Sequence, residues 1–123
     1  MSDHTCIQWL TEPEETNYPA SESYLTLLYD RTEARALVKK LKKSTICQFK
    51  AKDIFRASEL SLLGVSNSHV EKDRKKIKDG NELSPILLVR DVKHGKVIIA
   101  DGYHRLCAVY SFNEDEWIPC KIV

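Results

Sequence analysis

The chain has 123 residues, 42% hydrophobic and 30% charged, with a formal net charge of +1; that length and balance fit one globular domain with a core of its own. So balanced a charge argues against a protein built mainly to grip nucleic acid or an anionic membrane. No apolar run approaches the ~18 residues that span a bilayer, the N-terminus lacks a basic leader segment, and the four cysteines are scattered without a Cys-x-x-Cys; the expectations are no membrane partner, a cytoplasmic location, reduced structural cysteines and no metal site.

Residues 1–19 carry Pro13, Pro19 and several acids, and read as a loop or arm. Its apolar knot, Ile7, Trp9 and Leu10, either packs on the domain or serves as a handle for a partner. Ala20 to Lys43 is helical in pattern. Tyr24, Leu25, Leu28 and Tyr29 form one stripe and Leu37, Val38 and Leu41 another, with Ser21 or Ser23 as the first cap and Thr32 capping a second helix. Lys39, Lys40, Lys42 and Lys43 complement the helix dipole there or form a polyanion patch. This extension is expected to cover one face of a sheet or to make a homodimer contact.

Ile46 to Phe49 reads as a short strand, whereas Lys52 to Gly64 has no clear pattern. Ser68-x-x-Glu71 is a capping box opening a helix that runs to about Lys78 and stops at Asp79-Gly80-Asn81. Val70, Arg74 and Ile77 are its packing face, and His69, Lys72 and Lys76 share another. Pro85 to Val92 and Lys96 to Ala100 are strands joined at His94-Gly95 as a hairpin. A helix follows from Tyr103 or His104 to about Phe112, and Trp117 to Val123 is the last strand, with Pro119 marking an edge or a strand start.

The densest chemistry lies where the second hairpin strand ends. Asp101-Gly102 is a turn dipeptide, and Tyr103, His104 and Arg105 open the helix. A helix start carries free N–H groups and partial positive charge, Gly102 lets a ligand approach the backbone, and His104 and Arg105 add cations. Together these describe a phosphate site. Asp101 has two readings: it caps the helix, or it acts as a catalytic carboxylate beside Mg²⁺ or a hydroxyl substrate. Arg105 meets either the phosphate or a carboxylate of the domain itself.

Pro85-Ile86-Leu87-Leu88-Val89-Arg90, then Asp101-Gly102-Tyr103-His104-Arg105-Leu106-Cys107-Ala108, then Ile118-Pro119-Cys120-Lys121-Ile122-Val123, resemble the ParB/sulfiredoxin superfamily over about residues 47–123. The resemblance implies an α+β domain over residues 46–123, a small mixed sheet with packed helices, preceded by an N-terminal arm and helical extension over 1–45. It implies a nucleotide with its phosphates over Gly102, Tyr103, His104 and Arg105. It also implies polar contacts from the preceding helix, which register places at His69, Lys72 and Lys76, with Arg56 as a further candidate. Tyr103 stands where sulfiredoxins have their catalytic cysteine, so sulfinic acid repair is not expected. The enzymatic analogues with Asp-Gly-x-x-Arg include kinases that phosphorylate free serine, which would make Asp101 and His104 the catalytic pair. The expected ligand is therefore ATP or another nucleotide, with Mg²⁺ a candidate companion, bound by a nucleotide-binding domain or a small phosphotransferase or NTPase. The alternative is a non-catalytic regulatory or DNA-associated ParB-like module.

Overall fold

Ile86 to Val89 and Val97 to Ala100 are all buried. Successive strand residues point to opposite faces, so such unbroken apolar runs need cover on both sides. The computed structural model, which describes residues 6–64 and 66–123, shows that cover. In order the elements are β1 (Gln8–Trp9), α1 (Asn17–Leu25), α2 (Arg31–Lys43), β2 (Cys47–Lys50), α3 (Ala51–Ser58), α4 (Ser68–Lys78), β3 (Glu82–Leu83), β4 (Ile86–Asp91), a 3₁₀ turn (Val92–His94), β5 (Lys96–Asp101), α5 (Tyr103–Phe112) and β6 (Trp117–Ile122).

The four-stranded sheet has the order β2-β6-β4-β5. It is mixed: β6 runs antiparallel to β2 and parallel to β4, and β4 and β5 form the antiparallel hairpin. On one face Leu87, Val89, Ile98 and Ala100 pack with Tyr18 and Leu25 of α1 and Ala34, Val38 and Leu41 of α2. On the other, Ile86, Leu88, Val97, Ile99, Ile118 and Cys120 meet Ala51 and Ile54 of α3, Val70 and Ile77 of α4, and Leu106 to Val109 of α5. The protein is thus a three-layered α+β fold. Leu25 and Leu41 are fully buried, so cutting either to alanine costs about 2–5 kcal/mol. The helical extension covers the sheet within one chain, leaving Tyr24, Leu27 and Leu28 exposed. The Ile7 knot also packs: Ile7 is buried, and β1 pairs in parallel with β3.

Several local expectations are corrected. α1 starts at Asn17 with no side-chain cap, and Ser21 sits inside it, its hydroxyl donating to the Asn17 carbonyl at 2.9 Å. Asp30, not Thr32, caps α2 by accepting from the Glu33 N–H at 2.7 Å. Asn67, not Ser68, caps α4, one amide oxygen accepting from both His69 and Val70 at 3.0 and 3.2 Å. Asp and Asn are at least as good as Ser and Thr at this position, which is why neighbours one or two residues apart compete for it. The first part of the unclear stretch from Lys52 to Gly64 belongs to α3, which starts at Ala51, turns Ala51, Ile54 and Ser58 inward and ends where Glu59 takes φ 61°.

Pro119 is not at an edge, because β6 is an interior strand. The Ala51 N–H donates to the Glu116 carbonyl at 3.0 Å. That sets the ladder phase: 49/118 and 47/120 are hydrogen-bonded pairs and 48/119 is not. Pro119 therefore owes β2 no donor, and β6 meets β4 only from Cys120 onward.

Candidate functional site

β5 ends at Asp101, Gly102 turns the chain, and α5 begins at Tyr103. Gly102 adopts φ +113°, a conformation L side chains rarely take. A Cβ there would also lie 2.8 Å from Cγ1 of Ile86 and 3.0 Å from Nη2 of Arg105. Only glycine fits. Among the described residues no side chain caps α5. Its first backbone bond runs from the Leu106 N–H to the Gly102 carbonyl at 2.9 Å, so the amides of Tyr103, His104 and Arg105 precede the hydrogen-bonded ladder.

α4 lies against α5 on the same face of the sheet. Between the two is a cavity of about 210 Å³, lined by His69, Lys72, Asp73 and Lys76 of α4 and by Asp101, Gly102, Tyr103, His104 and Arg105. Of the residues assigned to catalysis or phosphate contact, all but Arg56 are in this wall; Asp73 is the addition. The His69 and His104 rings are 4.8 Å apart between centroids. The Tyr103 hydroxyl donates to the Ser61 carbonyl, so Tyr103 is tied to the loop after α3.

Asp101 does not cap the helix. It accepts from Nη2 of Arg105 at 2.9 Å, and the same nitrogen lies 3.3 Å from the Pro85 carbonyl. Both side chains of this pair are 17% exposed. Arg105 thus meets a carboxylate of the domain, and Nε of Arg105 is buried with no partner among the described residues. The guanidinium is a fixed part of the wall, and one of its nitrogens is already engaged by Asp101.

With neutral imidazoles the wall carries one excess positive charge: Lys72, Lys76 and Arg105 against Asp73 and Asp101. Burial pushes the Asp73 carboxyl above the usual carboxylate range, although Lys76, Arg105, His104 and Lys72 all act to lower it. Sequence reasoning passed over Asp73 as one acid in a basic helix. The signal was present: it lies four residues after His69 and three before Lys76, on the same helical face.

A cavity of about 570 Å³ lies elsewhere, lined by apolar residues including Phe49, Ile54, Leu88 and Val97, and by Arg56 and Arg90. Arg56 therefore does not join the phosphate candidates, and its guanidinium pairs with Asp53 at 3.4 Å. None of the lysines of α2 lines the smaller cavity either. Among the described residues, no group of three or more His, Cys, Asp or Glu side chains is placed to hold a metal ion, and no helix is long and apolar enough to cross a membrane. Comparison with protein-family models, with curated proteins and with solved structures finds no match for this chain.

Proposed function

We propose that the chain is a ParB/sulfiredoxin-like domain that binds a nucleotide by its phosphates, in the pocket between α4 and the start of α5. The observation carrying this reading is the meeting, around one small cavity, of an uncapped helix start with Lys72, Lys76, His69, His104 and Arg105 from two distant segments. Free amides and cations converging on one point are what a phosphate requires. The volume of about 210 Å³ is below the ~300–1,000 Å³ of sites that enclose a whole ligand. It suits phosphate groups, with the rest of the nucleotide extending outside.

In this reading the amides of Tyr103, His104 and Arg105 and the Arg105 guanidinium hold the phosphate oxygens, and Asp101 holds Arg105 in place. Lys72 and Lys76 supply the outer positive field, with His69 and His104 donating according to their protonation. Where Mg²⁺ accompanies a nucleotide it is usually held by one or two carboxylates plus phosphate oxygens, and Asp73 and Asp101 are the carboxylates at hand.

A second reading, phosphoryl transfer, is favoured by the position of Asp73. A half-buried carboxyl with a raised proton affinity, in the wall of the same pocket, is a proton acceptor for a hydroxyl substrate. Asp101 fits that role less well, being held by Arg105.

The test is a thermal-shift screen of ATP, ADP and CTP with Mg²⁺ on the wild type and on Arg105→Ala. The reading expects stabilisation of the wild type by at least one nucleotide and its loss in the variant. No shift in the wild type removes the reading, and a shift that survives in Arg105→Ala moves the site elsewhere. Duplex DNA binding that falls steeply with salt, without any nucleotide shift, would select the DNA-associated alternative.

A further inference from the structure

The register of the sheet sets Cys47 of β2 directly opposite Cys120 of β6. Directly opposed residues of an antiparallel pair point to the same face, so these side chains are neighbours. Their contacts are reciprocal: the Cys47 thiol donates to the Cys120 carbonyl at 3.4 Å, and the Cys120 thiol to the Cys47 carbonyl at 3.7 Å. Neither sulfur is in a disulfide. The hydrogen-bonded kind of pair has its Cα atoms ~5.5 Å apart, inside the ~4.4–6.8 Å range that a disulfide bridges. Access is one-sided. β2 is an edge strand and Cys47 is half-buried, whereas Cys120 is fully buried. Cys6 is exposed near the start of the chain and Cys107 lies inside α5, so neither has this arrangement.

We propose that Cys47 and Cys120 form a reversible dithiol pair, oxidised to a cross-strand disulfide by a low-molecular-weight disulfide of the glutathione type. Cys47, as thiolate, attacks one sulfur of the small disulfide; that S–S bond breaks and one small thiolate leaves, giving a mixed disulfide on Cys47. The Cys120 thiol then loses its proton and attacks the Cys47 sulfur, displacing the second small thiolate. The sum is two protein thiols and one small disulfide giving one protein disulfide and two small thiols.

The order of attack follows from the surroundings. Burial and the neighbouring Cys47 push the Cys120 thiol up, so it is the poorer initial nucleophile and the later one to ionise. Cβ atoms across an antiparallel pair are ~4.5–5.5 Å apart, wider than the ~3.5–4.5 Å a relaxed disulfide prefers. The bridge is therefore strained, and a strained bridge is readily reduced again. That fits a labile pair rather than a permanent staple.

The experiment uses the whole chain with oxidised glutathione at neutral pH, quenched with an alkylating reagent and read by intact mass and peptide mapping. In the folded wild type a single linked peptide pair containing Cys47 and Cys120 should form, while both other thiols remain alkylatable or carry only glutathione; dithiothreitol should restore all four free thiols. Cys120→Ala should stop at a glutathione adduct on Cys47. Should that variant fail to fold, the wild-type peptide map decides alone. A folded wild type in which the 47–120 linkage never forms contradicts the proposal, whether Cys47 stays free, keeps its adduct unresolved or bridges to a second chain.

Discussion

Two helices begin at the same pocket and begin differently. At α4 the Asn67 side chain takes the amides of His69 and Val70. At α5 the residue before the first turn, Gly102, has a conformation that excludes a side chain, and among the described residues no side chain caps the amides that follow. The α4 start is satisfied by its own side chain, while the α5 start, beside Lys72, Lys76 and Arg105, is the one proposed to receive an anion. Asp101, the one carboxylate in the sequence placed to cap α5, is turned onto Arg105 instead. On the proposed reading the contrast separates residues that hold the fold from residues that would hold a ligand, and substitutions at the two starts should behave as opposites.

The largest effect is expected at the turn itself. Gly102→Ala forces a side chain into a strained conformation and against Ile86; the loss should be about 2–4 kcal/mol in denaturant unfolding, with displacement of Arg105. Next, Arg105→Ala should weaken pyrophosphate binding roughly tenfold or more by calorimetry, the scale of losing a charge-assisted hydrogen bond worth ~1.5–3 kcal/mol. Asp101→Asn should retain or tighten that binding, since it removes the competing carboxylate. If Asp101→Asn and Arg105→Ala are equally damaging to binding, the pair acts only as structure. At the other start, Asn67→Ala should cost ~1 kcal/mol of stability and leave pyrophosphate affinity unchanged.

The smallest effect concerns Asp73. Its carboxyl has a raised proton affinity in the folded state, chiefly through burial. The folded state then binds the proton more strongly than the unfolded one, so this group lowers stability as pH rises from the ordinary carboxylate value through the raised one. Asp73→Asn should therefore unfold at a higher temperature than the wild type at neutral pH. The advantage should disappear in acid below the ordinary carboxylate range. An advantage that persists unchanged into acid would assign the effect to something other than ionisation.

The hairpin, α5 and the cation set were legible because each has a local signature. Continuous apolar runs marked β4 and β5, Asp101-Gly102 marked the break, and three-and-four spacing marked His69, Lys72 and Lys76. What escaped depended on partners distant in sequence. Pro119 reads locally as an edge residue, and only the ladder phase against β2 explains its interior place. α3 is only eight residues long and gives the core one large aliphatic residue, Ile54, between Ala51 and Ser58, so it is too short to show a sustained helical repeat. A carboxylate partner for Arg105 was anticipated only as one alternative and without naming Asp101, since a four-residue spacing at a helix start allows the contact without demanding it.

The central claim, that the uncapped amides of α5 are the ligand-holding ones, is tested most directly by titrating the isotope-labelled chain with pyrophosphate and following backbone amide resonances. The account predicts saturable shifts at Tyr103, His104 and Arg105, little change at His69 and Val70, and loss of the response in Arg105→Ala. Unmoved amides at 103–105, or shifts confined to the lysines of α2, would contradict it.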